Sequence, residues 1–427
     1  MSTEGREMPR RYEQPGGLTI GEACMQASSY LAEHGVEEPR ANAELLLLHV
    51  LRLDKAALLR DWREPWPVVA AAGAGTGAGE RVSVAGIGIA SSGSGAETSA
   101  DEAVGVNADD GETGDGHYPI AAEWARLLER KAAGEPVQYL IGEQWFYGLP
   151  FAVTPAVLIP RPETELLVEA VLEAADRLWP EARGAEGRVD AAVPTVVDVG
   201  TGSGAIAVTL ASQRPRWRVA ASDLSADALE TARGNAARHG VAARLRFAQG
   251  DLLAPFARAD SPAATSHGGG AQAEAPVASA DGGRVQMDEG AVHVEGGEAQ
   301  PDSGGTQAVD IADDVFASGE LAGLKIDVLV SNPPYIPASD IAGLQREVRD
   351  HEPWLALDGG ADGLDPYRRM IEQLPSLAAI PRIVAFELGQ GQAQEVARLL
   401  RETGHWPDIR IVTDYAGIER HVIAVTT

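Results

Sequence analysis

The spacing of apolar and polar residues divides the chain into a helical first part and a mixed second part. Three segments carry apolar residues at helical spacing: "TIGEACMQASSYLAEHG", "PRANAELLLLHVLRL" and "AAEWARLLERKAAGEP". An amphipathic helix buries its apolar stripe against neighbouring helices. The pattern therefore predicts a small helical bundle over residues 18–135.

From residue 195 onward, short apolar runs alternate with amphipathic segments. The predicted strands are residues 195–200, 218–223, 244–251, 326–332 and 382–388. Helices are predicted between and after them, at residues 203–213, 225–239, 365–374 and 391–402. This alternation indicates right-handed crossovers and a doubly wound, Rossmann-like parallel α/β sheet. The last strands, 409–414 and 421–427, are too close together for a parallel crossover, so we expect the final strand to be antiparallel.

The segment between the two parts, residues 136–161, is rich in aromatic and β-branched residues and in turn formers, which predicts a hairpin that links two domains. Residues 162–178 follow as an amphipathic helix, with Pro162 at its first position and acidic residues in its opening turn. We expect the second domain to span residues 162–427.

Two segments differ in composition from the rest of the chain. Residues 73–117 are rich in Gly, Ala and Ser and hold eight acids against one base, and residues 258–320 hold twelve acids against two bases. Such segments bury too little apolar surface to offset chain entropy, so both are predicted to be disordered acidic insertions. Residues 1–17 are interpreted as a flexible N-terminus.

Composition excludes several classes of function. The net charge of −28 argues against a broad electrostatic grip on nucleic acid, so no direct nucleic-acid partner is expected. The single cysteine, Cys24, excludes an intramolecular disulfide and a cysteine-based zinc cluster, and the nine histidines form no metal-like cluster. No apolar run approaches the ~20 residues of a membrane span. A cytoplasmic protein with neither a metal site nor a membrane segment is the expectation.

"DVGTGSGAIA", residues 198–207, places Gly200, Gly202 and Gly204 on a turn from strand to helix. Glycine allows a tight turn and lets a ligand approach the backbone closely. The segment from Gly202 to Ala207 also fits a dinucleotide pattern, and an acid about twenty residues on can bind ribose hydroxyls. This loop therefore suits NAD and S-adenosylmethionine alike.

Three acids favour S-adenosylmethionine over NAD. Asp198 precedes the loop, which suits an ammonium and a sulfonium better than a pyrophosphate. Asp223 closes the second strand and is expected to bind ribose, and Asp251 closes the third strand, where it can accept from an adenine amino group. Together with the antiparallel final strand, these positions predict a methyltransferase sheet.

"SNPPYIP", residues 331–337, follows the strand that ends at the same edge of the sheet. Amide and exocyclic amine nitrogens are poor nucleophiles because their lone pairs are delocalised. The side-chain carbonyl of Asn332 and the backbone carbonyl of Pro333 can accept both N–H groups of such a nitrogen, while Tyr335 covers its planar group and Pro334 stiffens the turn. The turn is thus predicted to hold a planar NH2 group: adenine N6, cytosine N4, guanine N2 or a glutamine amide.

Longer stretches resemble one family. "GEPVQYLIGEQWFYGLPFAVTPAVLIPRPETELLVE", "DVGTGSGAIA", "VSNPPYIP" and "HEPWLALDGGADGLDPYRRMI" are similar to the PrmC/HemK family, the release factor glutamine methyltransferases. The resemblance covers residues 18–72, 118–257 and 321–427. It implies methylation of N5 of the glutamine in the Gly-Gly-Gln motif of class 1 peptide chain release factors, with S-adenosylmethionine as donor. A ribosomal protein or a nucleic-acid amino group remains an alternative substrate.

The resemblance also implies roles for particular residues. The helical domain would help to hold the release factor. The implied substrate clamp is Asn332, Pro333, Pro334 and Tyr335. The implied contacts to the methyl donor are Gly200, Thr201, Gly202, Ser203, Gly204, Asp223, Leu252 and Asn332.

Overall fold

The computed structural model describes residues 18–66, 120–180, 193–260 and 321–426, in two compact units divided between Ile141 and Gly142. The predicted flexible N-terminus, the 73–117 insertion and all but the first three residues of the 258–320 insertion lie outside the described residues. None of the helices in those four ranges is long and apolar enough to cross a membrane.

The first unit is the predicted helical bundle. Its helices are α1 (Ile20–Glu33), α2 (Pro39–Leu51), α3 (Lys55–Arg60), α4 (Ile120–Ala132) and α5 (Val137–Ile141). Helix α1 begins with a capping box, in which the Thr19 hydroxyl accepts from the Glu22 backbone and the Glu22 carboxylate accepts from the Thr19 backbone. Fully buried Leu31, Leu46 and Leu127 join α1, α2 and α4 in one core.

Helix α5 differs from the predicted hairpin over residues 136–161. Its apolar residues Val137 and Leu140 are three apart, so both pack into the helical core. The carbonyl of Pro136 accepts the backbone N–H groups of Tyr139 and Leu140. The hairpin itself is confined to β1 (Glu143–Phe146) and β2 (Leu149–Ala152), which lie in the second unit.

The second unit is an α/β sheet with helices on both faces. Its helices are α6 (Pro162–Leu178), α7 (Ala205–Gln213), α8 (Ala226–Arg238), α9 (Arg346–His351), α10 (Asp365–Gln373) and α11 (Ala393–Glu402). Its strands are β3 (Thr195–Val199), β4 (Arg218–Asp223), β5 (Leu245–Gln249), β6 (Val328–Ser331), β7 (Ile383–Glu387), β8 (Asp408–Thr413) and β9 (Glu419–Val425).

The strand order is β5-β4-β3-β6-β7-β9-β8. The pairs from β5 to β7 are all parallel, whereas β9 is antiparallel to both β7 and β8. The doubly wound sheet and the antiparallel final strand are therefore confirmed. Because the chain leaves β3 toward β4 and returns at β6, the sheet has a topological switch point beside β3, where such sheets bind ligands.

Both faces of the sheet are buried, which explains the continuous apolar runs. Neighbouring residues of β3 point to opposite faces, so Val196 joins the core under α6–α8 and Val197 joins the core under α10 and α11. The central strands are therefore held from both sides, and the loops at their carboxyl ends have a rigid base.

Asn235 on α8 connects three parts of the second unit. Its Oδ1 accepts from the Ala152 backbone N–H at 2.8 Å, and its Nδ2 donates to the carbonyls of Ala152 and Ser203 at 3.0 and 2.9 Å. The side chain is completely buried. The Asn235 side chain thus bonds the backbone of β2 as a neighbouring strand would, and it also anchors the glycine-rich loop.

We predict that Asn235→Leu lowers the free energy of unfolding by about 2–4 kcal/mol, because it removes three side-chain hydrogen bonds to the backbone of Ala152 and Ser203. The measurement is urea denaturation of the full chain. Glu230→Ala, on the exposed side of the same helix, is the control and should change stability by less than about 0.5 kcal/mol. Equal effects of the two substitutions would contradict the anchoring role.

Candidate active site

A cavity of about 530 Å³ lies in the second unit, outside the carboxyl ends of β3, β4, β5 and β6. Four segments that follow these strands line it: residues 199–203, 223–225, 250–252, and Asn332 with Pro334. Thr164 on α6, most of residues 156–161, the first turns of α7 and α8, and parts of residues 353–369 complete the wall. The sheet therefore brings the two motifs singled out in the sequence to one cavity.

The three glycines of the loop have different tasks. Gly200, Gly202 and Gly204 have φ values of +71°, +54° and +81°, which disfavour any residue with a Cβ. A Cβ at Gly200 or Gly202 would meet no other protein atom within 4 Å, and both residues line the cavity. A Cβ at Gly204 would lie 3.1 Å from the Ala232 Cβ. Gly204 does not line the cavity, and it allows α7 and α8 to pack closely.

Asp198 lies behind the loop and does not line the cavity. Its side chain is fully buried, and its Oδ2 accepts from the Thr201 hydroxyl at 2.6 Å and from the Ala207 backbone N–H at 3.2 Å. Its Oδ1 has no hydrogen-bond partner among the described residues. Burial raises the pKa of Asp198 to about 7, against the lowering effect of these two hydrogen bonds.

Asp223 joins the end of β4 to the glycine-rich loop. Its Oδ2 accepts from the Gly202 backbone N–H at 2.8 Å, and its Oδ1 accepts from the Ser225 backbone N–H at 2.9 Å. Burial raises the pKa of this carboxyl, while the backbone donors act in the opposite direction. Leu224 provides a third backbone hydrogen bond. A carboxylate has about four acceptor sites, so Asp223, which lines the cavity, can still accept from a ligand.

The turn after β5 is held by one face of α10. Asp251 forms an ion pair with Arg369, and the Leu253 backbone N–H donates to Gln373 Oε1 at 2.9 Å. Leu252, between them, has a φ of +51°, an unfavourable value for a branched side chain. Arg369 and Gln373 were not predicted as site residues, although their spacing of four on a helix is the signal of a shared face.

Asn332 directly follows β6, in the cavity wall. Its Nδ2 donates to the Thr164 hydroxyl at 3.3 Å, and its Oδ1 is buried without a partner among the described residues. The Ser331 hydroxyl donates to the Val199 carbonyl at 2.6 Å, which joins the ends of β6 and β3. The turn and the glycine-rich loop are therefore fixed relative to each other.

The other members of the predicted clamp divide between the cavity and the core. Pro334 lines the cavity, whereas Pro333 and Tyr335 do not. The ring of Tyr335 packs on the core beside Gly389, and burial raises its pKa. That this ring covers the substrate's planar group stays a prediction.

Gln392 and two glycines hold the Tyr335 backbone. Gln392 Nε2 donates to the Tyr335 carbonyl at 2.9 Å, and its Oε1 accepts from the Gly389 backbone N–H at 2.9 Å. A Cβ at Gly363 would lie 2.2 Å from the Tyr335 carbonyl oxygen, and one at Gly359 would lie 2.8 Å from the Tyr335 Cα. Sequence reasoning assigned Gln392 only to the start of α11 and missed this contact.

No group of three or more His, Cys, Asp or Glu side chains in the described ranges is arranged to hold a metal ion.

Comparison with known proteins identifies relatives of this chain. The PrmC N-terminal domain model matches residues 22–72, and a methyltransferase domain model matches residues 196–269. The release factor glutamine methyltransferase of Moorella thermoacetica is 33% identical over 95% of this chain and 98% of its own length. That of Bacillus subtilis is 32% identical over 95% of this chain and 98% of its own length.

The chain belongs to the release factor glutamine methyltransferase family. The family matches extend through both units, since the first domain match lies in the helical unit and the second contains the glycine-rich loop. A solved human methyltransferase 10 domain containing protein shares only a TM-score of 0.36 and 13% identity, over 66% of this chain and 90% of its own. The family assignment rests on the sequence relatives alone.

Burial of Asp198 makes the free energy of unfolding of the protein depend on pH. A carboxyl whose pKa rises from 3.8 to about 7 on folding destabilises the folded chain increasingly as pH rises through that window. We predict that Asp198→Asn stabilises the ligand-free protein more at pH 8 than at pH 5, by about 1–3 kcal/mol. Denaturant unfolding at both pH values measures this difference. The same gain at both would show that the carboxylate carries no such penalty.

Proposed function

We propose that this chain transfers a methyl group from S-adenosylmethionine to the side-chain amide nitrogen, N5, of the glutamine in the Gly-Gly-Gln motif of class 1 peptide chain release factors. The names of its relatives support the reaction and the substrate class. The structural observation that carries the proposal is the buried, unpartnered Oδ1 of Asn332, which shares one cavity wall with the glycine-rich loop.

The residues of the glycine-rich loop fit the methyl donor. Gly200 and Gly202 leave the cavity open where a Cβ would stand, and Thr201 and Ser203 line it beside them. Asp223 has acceptor capacity left for a ribose hydroxyl, and the turn at Asp251 and Leu252 offers a carboxylate and an apolar surface for adenine. Asp198 lies behind the loop, and a ligand that carries positive charge favours the ionised form of its carboxyl.

The residues after β6 act on the acceptor amide. When bound, S-adenosylmethionine supplies a methyl group on a positively charged sulfur, and the amide nitrogen exchanges one of its protons for that methyl. Asn332 Oδ1 accepts one amide N–H, and the Pro333 backbone carbonyl accepts the other. Held from both sides, the nitrogen lone pair turns out of conjugation toward the methyl group, and the released proton passes to water.

Tyr335 and Pro334 support this arrangement in different ways. Pro334 lines the cavity and has no N–H that could compete for the acceptor carbonyls. Tyr335 anchors the turn through its backbone carbonyl, which accepts from Gln392. We further propose that the helical unit, residues 18–141, provides binding surface for the release factor, in keeping with the PrmC N-terminal domain match.

The direct test is transfer of labelled methyl from S-adenosylmethionine to a purified class 1 release factor whose Gly-Gly-Gln glutamine is either intact or replaced by alanine. We expect label only on the release factor with the intact glutamine. Label on both release factors would place the methyl elsewhere. Label on a ribosomal protein or on RNA in a cell extract, but on neither release factor, would overturn the proposed substrate.

Two substitutions separate the donor side from the acceptor side. Asp223→Ala is expected to weaken binding of S-adenosylmethionine by about 1–3 kcal/mol, because the hydrogen bonds to ribose are lost. Asn332→Ala is expected to keep donor binding nearly intact and to lower kcat by at least about 100-fold, because the acceptor amide is no longer oriented. Isothermal titration measures the first effect, and single-turnover methyl transfer measures the second. Normal turnover by Asn332→Ala would refute the assigned mechanism.

A further inference from the structure

Thr164 contacts the one side chain that the proposed mechanism needs in a defined orientation. It is the third residue of α6, its side chain is 4% exposed, and it lines the cavity beside Asn332. Its hydroxyl oxygen lies 3.3 Å from Asn332 Nδ2. The motifs in the sequence assign no role to Thr164.

The orientation of an asparagine amide is a matter of hydrogen bonding rather than of shape. The amide oxygen and nitrogen are nearly equal in size, so a rotation of about 180° exchanges an acceptor for a donor with little change in packing. At Asn332 the nitrogen end is engaged by the Thr164 hydroxyl, and the oxygen end is buried without a partner among the described residues. In this arrangement the Thr164 hydroxyl accepts from Nδ2, and Oδ1 is the end that is left free.

Thr164 is itself rigidly placed. Its backbone N–H donates to the Arg161 carbonyl at 3.1 Å, in the first turn of α6. Further along the same helix, Leu167, Val168 and Val171 are fully buried against the sheet. A hydroxyl on this part of the helix cannot drift away from β6 unless the helix leaves the core.

We propose that Thr164 is a positioning residue that holds the Asn332 amide with its Oδ1 free to accept an N–H group of the substrate amide. This inference rests on the proposed function. Without the hydroxyl, the amide would rotate between two states, and in one of them it would present its NH2 group to the NH2 group of the substrate. Two donors repel each other, so that state is unproductive.

The test compares Thr164→Val, which keeps the shape but removes the hydroxyl, with Thr164→Ser, which keeps the hydroxyl. Thr209→Val is the matched control, because Thr209 is also fully buried in the same unit, does not line the cavity, and has no hydrogen-bond partner for its hydroxyl among the described residues. The measurements are kcat and KM for the release factor and the Kd for S-adenosylmethionine.

We expect Thr164→Val to lower kcat by about 10- to 100-fold and to change the donor Kd by less than about twofold. Thr164→Ser should stay within about threefold of the wild type, and Thr209→Val should match the wild type. Wild-type kcat in Thr164→Val would overturn the inference. A serine variant as impaired as the valine variant would overturn it too, because packing of the methyl group, and not the hydroxyl, would then be responsible.

A second measurement does not depend on turnover. In protein with labelled asparagine, the side-chain NH2 resonances of Asn332 are identified by their loss in Asn332→Ala. Thr164→Val should shift these resonances and speed their hydrogen exchange, whereas Thr164→Ser and Thr209→Val should leave them nearly unchanged. If the wild type fails to methylate a release factor, the proposed substrate is wrong, and this measurement still decides the role of Thr164: unchanged resonances in Thr164→Val would refute it.

Discussion

Parallel pairing of β3 with β4 on one side and β6 on the other is the constraint on which the site depends. Parallel strands end at the same edge of a sheet, so segments far apart in sequence must meet there. The loop after β3 and the turn after β6 are more than a hundred residues apart, yet the Ser331 hydroxyl bonds directly to the Val199 carbonyl. The glycine-rich loop and the turn after β6 thus line one cavity.

Near the same edge of the sheet, two buried polar atoms have no hydrogen-bond partner among the described residues. Asp198 Oδ1 and Asn332 Oδ1 are buried and lack partners within the described residues, and each such atom costs about 1–3 kcal/mol. Leu252 adds a strained backbone at the cavity wall, held by contacts from α10. In the proposed reaction the substrate amide would partner Asn332 Oδ1, so this part of the stability cost would serve function.

Local pattern was enough to predict most of the fold. Helix α6 has the predicted bounds, because Pro162 and the acids after it mark its start, and the antiparallel β9 follows from a connection too short for a crossover. Helix α5 was missed because it is only five residues long, and among its buried residues Val137 and Tyr139 fit the period of a strand while Val137 and Leu140 fit that of a helix. The contacts of Thr164 and Gln392 were missed for another reason: each joins segments whose proximity only the folded sheet determines. Sequence placed the two motifs at the edge of the sheet where the cavity lies, but not which of their residues line it or which side chains hold them.

The proposed reaction requires that a glutamine amide is held at Asn332 beside the glycine-rich loop. A crystal structure of the chain with S-adenosylhomocysteine and a peptide that contains Gly-Gly-Gln tests this most directly. We expect the glutamine side-chain nitrogen to lie about 2.7–3.2 Å from Asn332 Oδ1, with the donor's sulfur facing it across the cavity. A peptide bound elsewhere, or a glutamine whose amide nitrogen has no contact with Asn332, would contradict it.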